Sequence, residues 1–223
     1  SIAAAVLNSC QQDHDQNSAD VIIYGGTSAG ISAGIQSARL GKSVIIIEPA
    51  SRLGGLTTGG LGQTDIGNKQ VIGGIAREFY RNIKKYYENP GNWTWQSRSA
   101  YKDGGQTRSG EDEDAMWTFE PSAALKVYQD MIKNLDIKIV YNQKLNRTKG
   151  VSKIANTIHS ISMLSGDTYY GKIFIDATYE GDLMAAAGIS YTVGRESNSQ
   201  YGESLNGVQT AKYAKTLQGG VSN

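Results

Sequence analysis

A glycine-rich turn lies directly after a short apolar run near the start of the chain. Residues 21–24 read Val-Ile-Ile-Tyr, and residues 25–30 read Gly-Gly-Thr-Ser-Ala-Gly. An apolar run without polar alternation is typical of a strand that is buried on both faces of a parallel sheet. The sequence therefore predicts a buried strand that ends in a glycine turn, which few folds can accommodate.

The residues after this turn complete a strand–helix–strand unit. Small and apolar residues predict a helix from about Ser28 to Leu40, and Gly41 follows it as helix-ending glycines do. Residues 44–47 are a second apolar run, and Glu48 stands at its end. Because such a unit joins two parallel strands, it predicts an α/β fold.

The turn and the acid have the spacing of a dinucleotide-binding site. Free amides at a helix N-terminus attract phosphate. Glu48 follows Gly30 by 18 residues, close to the spacing of about 20 expected for an acid that binds a ribose diol. Thr27 replaces the second fingerprint glycine, so we expect its Cβ to displace the pyrophosphate or its hydroxyl to lie near it. A purely structural glycine turn is the alternative interpretation.

A second glycine-rich segment distinguishes between two cofactors. Seven glycines fall between Gly54 and Gly73, and we expect an irregular backbone to about Ile72. An NAD-binding domain usually enters its next helix here, whereas glycine-rich backbone suits close approach to a flat ring and a phosphate linker. The segment favours FAD, and an NAD-dependent dehydrogenase stays open as the alternative.

The two segments together resemble bacterial FAD-dependent oxidoreductases of the glutathione-reductase-like superfamily. The matching features are the GGTxAG turn at residues 25–30, Ile-Glu-Pro at residues 47–49 and GGLTTGGLG at residues 54–62. The resemblance covers about residues 20–208. It implies a Rossmann-like FAD-binding domain and FAD as the cofactor.

The resemblance also implies where FAD lies. Residues 25–30 would hold the pyrophosphate, and Glu48 would bind the adenosine ribose. Residues 52–58 would run beside the pyrophosphate and the ribityl chain. Residues 59–62 would approach the isoalloxazine, and the backbone near Leu145 would meet adenine. The predicted cofactor-binding residues are Gly25, Gly26, Thr27, Ser28, Ala29, Gly30, Glu48, Arg52, Gly54, Gly55, Leu56, Thr57, Gly59, Gly60, Leu145, Ala177 and Thr178. The sequence assigns no catalytic base and no metal ligand.

Later patterns extend the same fold. Amphipathic helices are predicted to begin near Gly74 and Pro121, and a third parallel strand at residues 137–141. A three-stranded antiparallel meander is predicted over residues 145–170, with turns near Gly150 and at Gly166-Asp167.

A further buried strand at residues 172–178 ends like the superfamily's second cofactor motif, with Tyr179 in place of the glycine. The predicted fold class is therefore α/β, a Rossmann-like domain with a parallel sheet and an antiparallel meander. Residues 20–187 would form this domain, and residues 188–223 would begin a substrate-domain excursion. We expect the fold to continue beyond Asn223. The 223-residue chain alone is then expected to bind FAD weakly or not at all and not to turn over substrate.

The first nineteen residues are predicted to lie outside the fold. Leu7-Asn8-Ser9-Cys10 resembles a bacterial lipobox, so residues 1–9 would be a signal-peptide remnant and Cys10 the lipidated residue. We expect an exported lipoprotein, periplasmic or at the cell surface, that touches the membrane only through this anchor. An ordinary frayed N-terminus is the alternative.

Composition limits the partners and the chemistry. A net charge of +1 gives no electrostatic basis for binding nucleic acid, and the single cysteine excludes an internal disulfide. We interpret the acidic residues 111–114 as a solvated loop. Trp93 and Trp95 are interpreted as loop anchors, with a substrate wall as the alternative.

The predicted function is hydride transfer between FAD and a small organic substrate, with carbohydrate-derived molecules among the candidates. A non-catalytic exported binding protein on the same fold is the alternative from another class.

Overall fold

The computed structural model describes residues 16–63, 67–101 and 113–207. The strands are β1 Ser18–Tyr24, β2 Val44–Ile47, β3 Ile137–Val140, β4 Val151–Ile154, β5 Thr157–Ser162 and β6 Thr168–Asp176. The helices are α1 Ser28–Arg39, α2 Gly55–Gly59, α3 Gly74–Tyr86, α4 Pro121–Ile132, α5 Asp182–Ala186 and α6 Asn198–Tyr201. Single 3₁₀ turns lie at Lys69–Val71, Pro90–Asn92 and Arg98–Ala100.

Six strands form one mixed sheet in the order β3-β2-β1-β6-β5-β4. β3, β2, β1 and β6 are parallel to one another, whereas β6, β5 and β4 pair antiparallel. The predicted α/β class and the combination of a parallel sheet with an antiparallel part are confirmed. Tyr24 pairs with both Ile47 and Asp176, so the carboxyl ends of β1, β2 and β6 meet at one edge of the sheet.

Alternate residues of the central strands fill two separate cores. Ile23 and Ile46 face a core that contains α1, α3 and α4. Ile22 and Ile45 face the opposite core, which contains Leu145, Met163, Tyr169 and Leu183. Burial on both faces explains why β1 and β2 carry apolar runs and not an alternating pattern.

The antiparallel part differs from its predicted layout. Leu145 makes only an isolated bridge to Met163, and the first strand of the meander starts at Val151. A turn lies at residues 147–149, beside Gly150 as predicted. The hairpin between β4 and β5 instead turns at Ala155, whose positive φ of 53° is uncommon for alanine. The second turn contains Gly166, as predicted, with a φ of 99°.

One continuous strand replaces two predicted ones. The predicted third meander strand and the predicted strand at residues 172–178 are both parts of β6. Its first three residues pair with β5, and residues 170–176 run beside β1, where Ser18 pairs with Tyr170. β1 therefore starts two residues before the predicted boundary at residue 20.

The segment predicted to be irregular contains a short helix. α2 begins after Gly54, which has a φ of 100°, and ends before Gly60, which has a φ of 139°. A helix of five residues is too short to produce a periodic apolar pattern, so the sequence did not indicate it.

The chain divides into two compact units, residues 1–188 and 189–223. The first unit contains the whole sheet and α1 to α5. The described part of the second unit contains α6, and Asn206 donates hydrogen bonds there to Glu196 and Glu203. Within the described residues, no helix has both the length and the apolar character needed to cross a bilayer.

Candidate cofactor-binding site

The turn between β1 and α1 is so tight that its glycines have no room for a side chain. Gly25 has a φ of 105°, in the region that favours glycine. A Cβ on Gly30 would lie 2.0 Å from the carbonyl oxygen of Gly25, and one on Gly26 would lie 2.7 Å from a methyl carbon of Leu53. The glycines therefore allow α1 to begin close against the end of β1.

Thr27 caps α1 and ties it to the end of β6. Its hydroxyl accepts a hydrogen bond from the amide of Gly30 at 3.3 Å and donates one to the carbonyl oxygen of Ala177 at 2.7 Å. The residue is only 7% exposed. The hydroxyl therefore joins the first turn of α1 to the neighbouring strand end, and its predicted position near a pyrophosphate stays a prediction.

The first turn of α1 presents amides that have no acceptor in the protein. Among the described parts of the chain, nothing accepts a hydrogen bond from the amides of Ser28 and Ala29. Ala29 is exposed, and the first turn contains no acidic side chain. These amides and the helix dipole of α1 favour an anion at this point.

Glu48 lies beside the same turn with both carboxylate oxygens in use. Oε2 accepts a hydrogen bond from the amide of Gly26 at 2.8 Å, and Oε1 accepts one from the amide of Ala50 at 2.7 Å. The residue is 7% exposed. Each carboxylate oxygen has a second lone pair, so the predicted contact to a ribose diol remains chemically open and stays a prediction.

The second glycine segment runs directly along the first turn. The amide of Gly54 donates to the carbonyl oxygen of Gly26 at 2.7 Å, and Gly54 forms a parallel bridge with Thr27. A Cβ on Gly54 would lie 2.2 Å from the methyl carbon of the fully buried Thr58. The structure thus brings the two predicted segments into contact.

Arg52 fixes the position of α2 through two hydrogen bonds. Its Nε donates to the carbonyl oxygen of Thr58 at 2.7 Å, and its Nη2 donates to the carbonyl oxygen of Pro121 at 3.3 Å. The guanidinium therefore satisfies a carbonyl near the end of α2 and joins it to the start of α4. Its predicted position beside a pyrophosphate stays a prediction.

Tyr179 brings the third predicted segment to the same place. Its hydroxyl accepts a hydrogen bond from the amide of Leu56 at 2.8 Å, and a Cβ on Gly55 would lie 2.3 Å from that oxygen. The amide of Ala177 donates to the carbonyl oxygen of Tyr24 at 2.8 Å and extends the β1–β6 ladder. Residues 25–30, 52–60 and 177–179 therefore converge at the carboxyl edge of the sheet.

Two glycines of this region face open space. No described atom lies within 4 Å of a Cβ built on Gly59 or on Gly60. The protein's own packing therefore does not require glycine at residue 59, in contrast to Gly30 and Gly54. This fits the prediction that a ring approaches residues 59–62.

Leu145 is joined to the site through one side chain. Its amide donates to the hydroxyl of Tyr24 at 2.9 Å, and Leu145 is buried. Burial raises the pKa of Tyr24, so this hydroxyl stays protonated. The amide of Leu145 is thus engaged within the protein, and its predicted role beside adenine is not tested by this geometry.

Asp176 helps to shape the candidate site, and the sequence reasoning missed it. Its Oδ1 accepts hydrogen bonds from the amide and the hydroxyl of Thr178 at 3.0 and 2.7 Å, and its Oδ2 accepts from the amide of Met184 at 2.8 Å. It shapes the backbone that carries Tyr179. Like Glu48, it is an acid at the end of an apolar strand, and that shared pattern could have identified it.

The acidic run at residues 111–114 forms ion pairs where it is described. Glu113 and Asp114 both form ion pairs with Arg77, and Asp114 also pairs with Arg81 at 2.5 Å. Across the described residues, no group of three or more acidic, histidine or cysteine side chains could hold a metal ion. Cys10 lies outside the described residues.

The sequence of most of the chain matches one protein family. A family model described as FAD dependent oxidoreductase matches residues 20–220. The chain belongs to the FAD-dependent oxidoreductase family. Its cofactor is FAD, and the predicted family and cofactor are confirmed. No curated protein sequence matches the chain.

Solved structures of this fold are similar over most of the chain. L-proline dehydrogenase from P. horikoshii has a TM-score of 0.50 and 17% identity, over 81% of this chain and 58% of its own. THI4 from Thermovibrio ammonificans has a TM-score of 0.50 and 15% identity, over 87% of this chain and 73% of its own. The chain therefore spans little more than half the length of the proline dehydrogenase.

The site residues fit FAD as a ligand. The free amides of Ser28 and Ala29 suit its pyrophosphate, and the carboxylate of Glu48 suits its ribose hydroxyls. The open space at Gly59 and Gly60 leaves room for a flat ring. These three features lie along one edge of the parallel sheet, where ligands of such folds bind.

Proposed function

We propose that the protein transfers a hydride between a small organic substrate and FAD. The observation that carries the proposal is the convergence of residues 25–30, 52–60 and 177–179 beside the free amides of α1. Membership of the FAD-dependent oxidoreductase family supports the redox chemistry. We propose carbohydrate-derived molecules as the first substrates to test.

In this proposal the protein binds and orients the cofactor. FAD supplies the ring that accepts or gives the hydride. The amides of Ser28 and Ala29 bind the pyrophosphate, and Glu48 orients the adenosine ribose. Arg52 and Tyr179 fix the two ends of α2, so the loop that contacts the cofactor is held in one arrangement before binding.

Titration of the 223-residue chain with FAD and with NAD tests the cofactor. We expect weak, saturable quenching of FAD fluorescence and a lower affinity for NAD. The NAD-dependent dehydrogenase is the alternative on the same fold. Saturable binding of NAD without binding of FAD would favour it over our proposal.

Substrate assays separate an enzyme from a binding protein on the same fold. The FAD-loaded protein is mixed anaerobically with sugars, sugar acids and 2-hydroxy acids, and the flavin absorbance near 450 nm is followed. Loss of the flavin absorbance with one compound, and its return when oxygen is admitted, would support an oxidoreductase. Binding of a compound without any bleaching would favour the non-catalytic exported binding protein.

We also propose that Cys10 carries a lipid and anchors the protein outside the cytoplasm. The support is the sequence Leu7-Asn8-Ser9-Cys10 and the polar residues after it. Mass spectrometry of the mature N-terminus in the native host decides the matter. We expect a peptide that begins at an acylated Cys10, and an unmodified Cys10 preceded by Ser9 would refute the proposal.

A further inference from the structure

Five aromatic side chains and one carboxylate line a pocket near the start of α4. Its volume is about 240 Å³, and the lining includes Tyr87, Trp93, Trp95, Tyr101 and Glu120. None of these residues belongs to the predicted cofactor site. The pocket therefore needs an explanation of its own.

Three of the rings are fixed through their polar ends. Trp93 Nε1 donates to the carbonyl oxygen of Tyr87 at 2.8 Å, and the Tyr101 hydroxyl donates to the carbonyl oxygen of Thr118 at 3.1 Å. The Tyr87 hydroxyl donates to Oε2 of Glu120 at 2.9 Å. Because the polar ends are in use, these rings offer mainly their faces and edges to a ligand.

The rings also hold one another at close distances. The ring centroids of Tyr87 and Trp93 are 4.8 Å apart, and those of Trp93 and Tyr101 are 5.4 Å apart. Such contacts, combined with the hydrogen bonds, give the pocket a rigid aromatic wall. A rigid wall binds a ligand at a low entropic cost.

Within the described residues, the carboxylate of Glu120 has no counter-charge. Its Oε2 accepts from Tyr87, whereas Oε1 has no hydrogen-bond or ion-pair partner among residues 16–63, 67–101 and 113–207. The residue is half-buried. A half-buried anion that is not paired with a cation is unfavourable, and a positively charged ligand would relieve this.

Trp95 stands at the rim of the pocket. It is 85% exposed, and its indole has no hydrogen-bond partner within the described chain. An exposed tryptophan at the mouth of an aromatic pocket can close over a ligand without disturbing the fold. Loss of this side chain therefore tests binding separately from folding.

We propose that this pocket binds an organic ammonium group, with the rings against its alkyl groups and Glu120 as the counter-charge. Aromatic faces attract cations through the ring quadrupole, most strongly where water is excluded. A neutral sugar also stacks on aromatic rings, but stacking leaves the charge of Glu120 uncompensated. The charge thus favours a cation over a neutral ligand.

The wall of the pocket continues into the segment assigned to the flavin ring. The amide of Phe119 donates to the carbonyl oxygen of Gly62 at 2.8 Å, and Thr118 forms an antiparallel bridge with Gln63. Gly62 ends the segment of residues 59–62. The pocket therefore lies beside the segment assigned to the flavin ring, and the binding proposal itself does not depend on FAD.

Choline and its neutral isostere 3,3-dimethylbutan-1-ol are the probes. We expect choline to change the tryptophan fluorescence of the 223-residue chain saturably. The isostere should bind more weakly than choline, by about tenfold or more. Equal affinities for the two probes, tighter binding of methyl β-glucoside, or no binding of choline would each overturn the proposal.

Matched variants then identify the groups responsible. We expect Trp95→Ala to weaken choline binding about threefold to tenfold, and Glu120→Gln to weaken it by about tenfold, with little effect on the isostere. Asp136→Asn removes an exposed charge elsewhere and should change neither affinity. Wild-type choline affinity in Glu120→Gln would refute the role of the carboxylate.

FAD affinity measured on the same variants keeps the two proposals apart. We expect Trp95→Ala and Glu120→Gln to bind FAD as the unchanged chain does. Loss of choline binding with FAD binding intact supports the pocket. Saturable binding of NAD without binding of FAD, with choline binding intact, would count against the proposed function alone.

Discussion

Glu48 holds two backbone amides with the two oxygens of one carboxylate. One amide belongs to Gly26 in the glycine turn, and the other to Ala50 just after β2. The same carboxylate is the predicted ligand of the ribose. A residue with both roles links the shape of the turn to the binding of the cofactor.

We expect Glu48→Ala to lower FAD affinity by about 10- to 100-fold, because charge-assisted hydrogen bonds contribute about 1.5–3 kcal/mol each. The variant should also lower the free energy of unfolding, since the amide of Gly26 loses its acceptor in a buried place. FAD fluorescence titration and urea unfolding measure the two effects separately.

Glu48→Gln is the matched control, because it keeps the volume and one carbonyl oxygen but removes the charge. An intermediate FAD affinity is expected for it. Unchanged FAD affinity in Glu48→Ala would contradict the ribose assignment, whatever the change in stability.

The glycines of the site divide into two kinds that a sequence cannot distinguish. A Cβ on Gly30 would overlap the carbonyl oxygen of Gly25 at 2.0 Å, whereas one on Gly59 would meet nothing within 4 Å. Both are written as the same letter in glycine-rich runs. Only the structure separates a glycine needed for packing from one left free for a ligand.

We expect Gly30→Ala to destabilise the fold by about 1–3 kcal/mol or more, because α1 must move away from β1. Gly59→Ala should leave the free energy of unfolding nearly unchanged and weaken FAD binding, since its methyl group would enter the space assigned to the ring. Urea unfolding and FAD titration measure both variants. Unchanged FAD affinity in Gly59→Ala would show that the flavin ring does not lie beside residue 59.

At the scale of elements, the first turn of α1 is joined both to β1, which precedes it, and to the end of β6. Thr27 caps the helix through Gly30 and donates to Ala177 at the end of β6. The same hydroxyl thus fixes the helix start and the relative position of β1 and β6. An ordinary helix cap performs only the first of these tasks.

Thr27→Ala should therefore cost more than the loss of a cap alone. We expect a loss of about 1–3 kcal/mol in the free energy of unfolding, because the cap is lost and the carbonyl of Ala177 loses a buried donor. Thr27→Ser keeps the hydroxyl and should stay within about 1 kcal/mol of the original chain. Equal losses in the two variants would show that the methyl group, not the hydroxyl, matters.

Long elements with a regular pattern were predictable from the sequence, and short ones were not. The apolar runs of β1 and β2 and the periodic helices α3 and α4 appear where expected. α2 was missed because five residues carry no period. β6 was split in two because its first residues pair with β5 and its later residues pair with β1.

The site was predictable only in its outline. The segments at residues 25–30 and 52–60 could be placed together, because both follow strand ends of a parallel sheet. The contact of Tyr179 with Leu56 crosses 123 residues, and no local pattern encodes it. The hydroxyl of Thr27 could not be oriented for the same reason.

At the scale of the whole molecule, Asp20 joins three segments that are distant in the sequence. It accepts hydrogen bonds from the amide of Ser43 at 3.1 Å and from Lys172 Nζ at 2.7 Å. Mainly through Lys172 and then Ser43, the pKa of Asp20 falls from its ordinary 3.8 to about 2. β1, β2 and β6 are thus joined at the edge of the sheet opposite the cofactor site.

The lowered pKa predicts how stability depends on pH. Asp20 stabilises the folded chain above about pH 4, and this contribution is lost as pH falls through about 2, because the unfolded chain then binds the proton first. We expect Asp20→Asn to be less stable than the original chain at pH 5 and nearly equal to it at pH 2. Urea midpoints at the two pH values measure this, and a pH-independent difference would contradict it.

The hydrogen bond between Thr27 and Ala177 also sets an order in time. Its partners are 150 residues apart, and at about 5–20 residues per second the second one is synthesised roughly 8–30 s after the first. Until then the β6 side of β1 has no strand to pair with, and contacts between such distant residues form slowly. The nucleotide turn is therefore among the first parts of the fold to be translated and among the last to be completed.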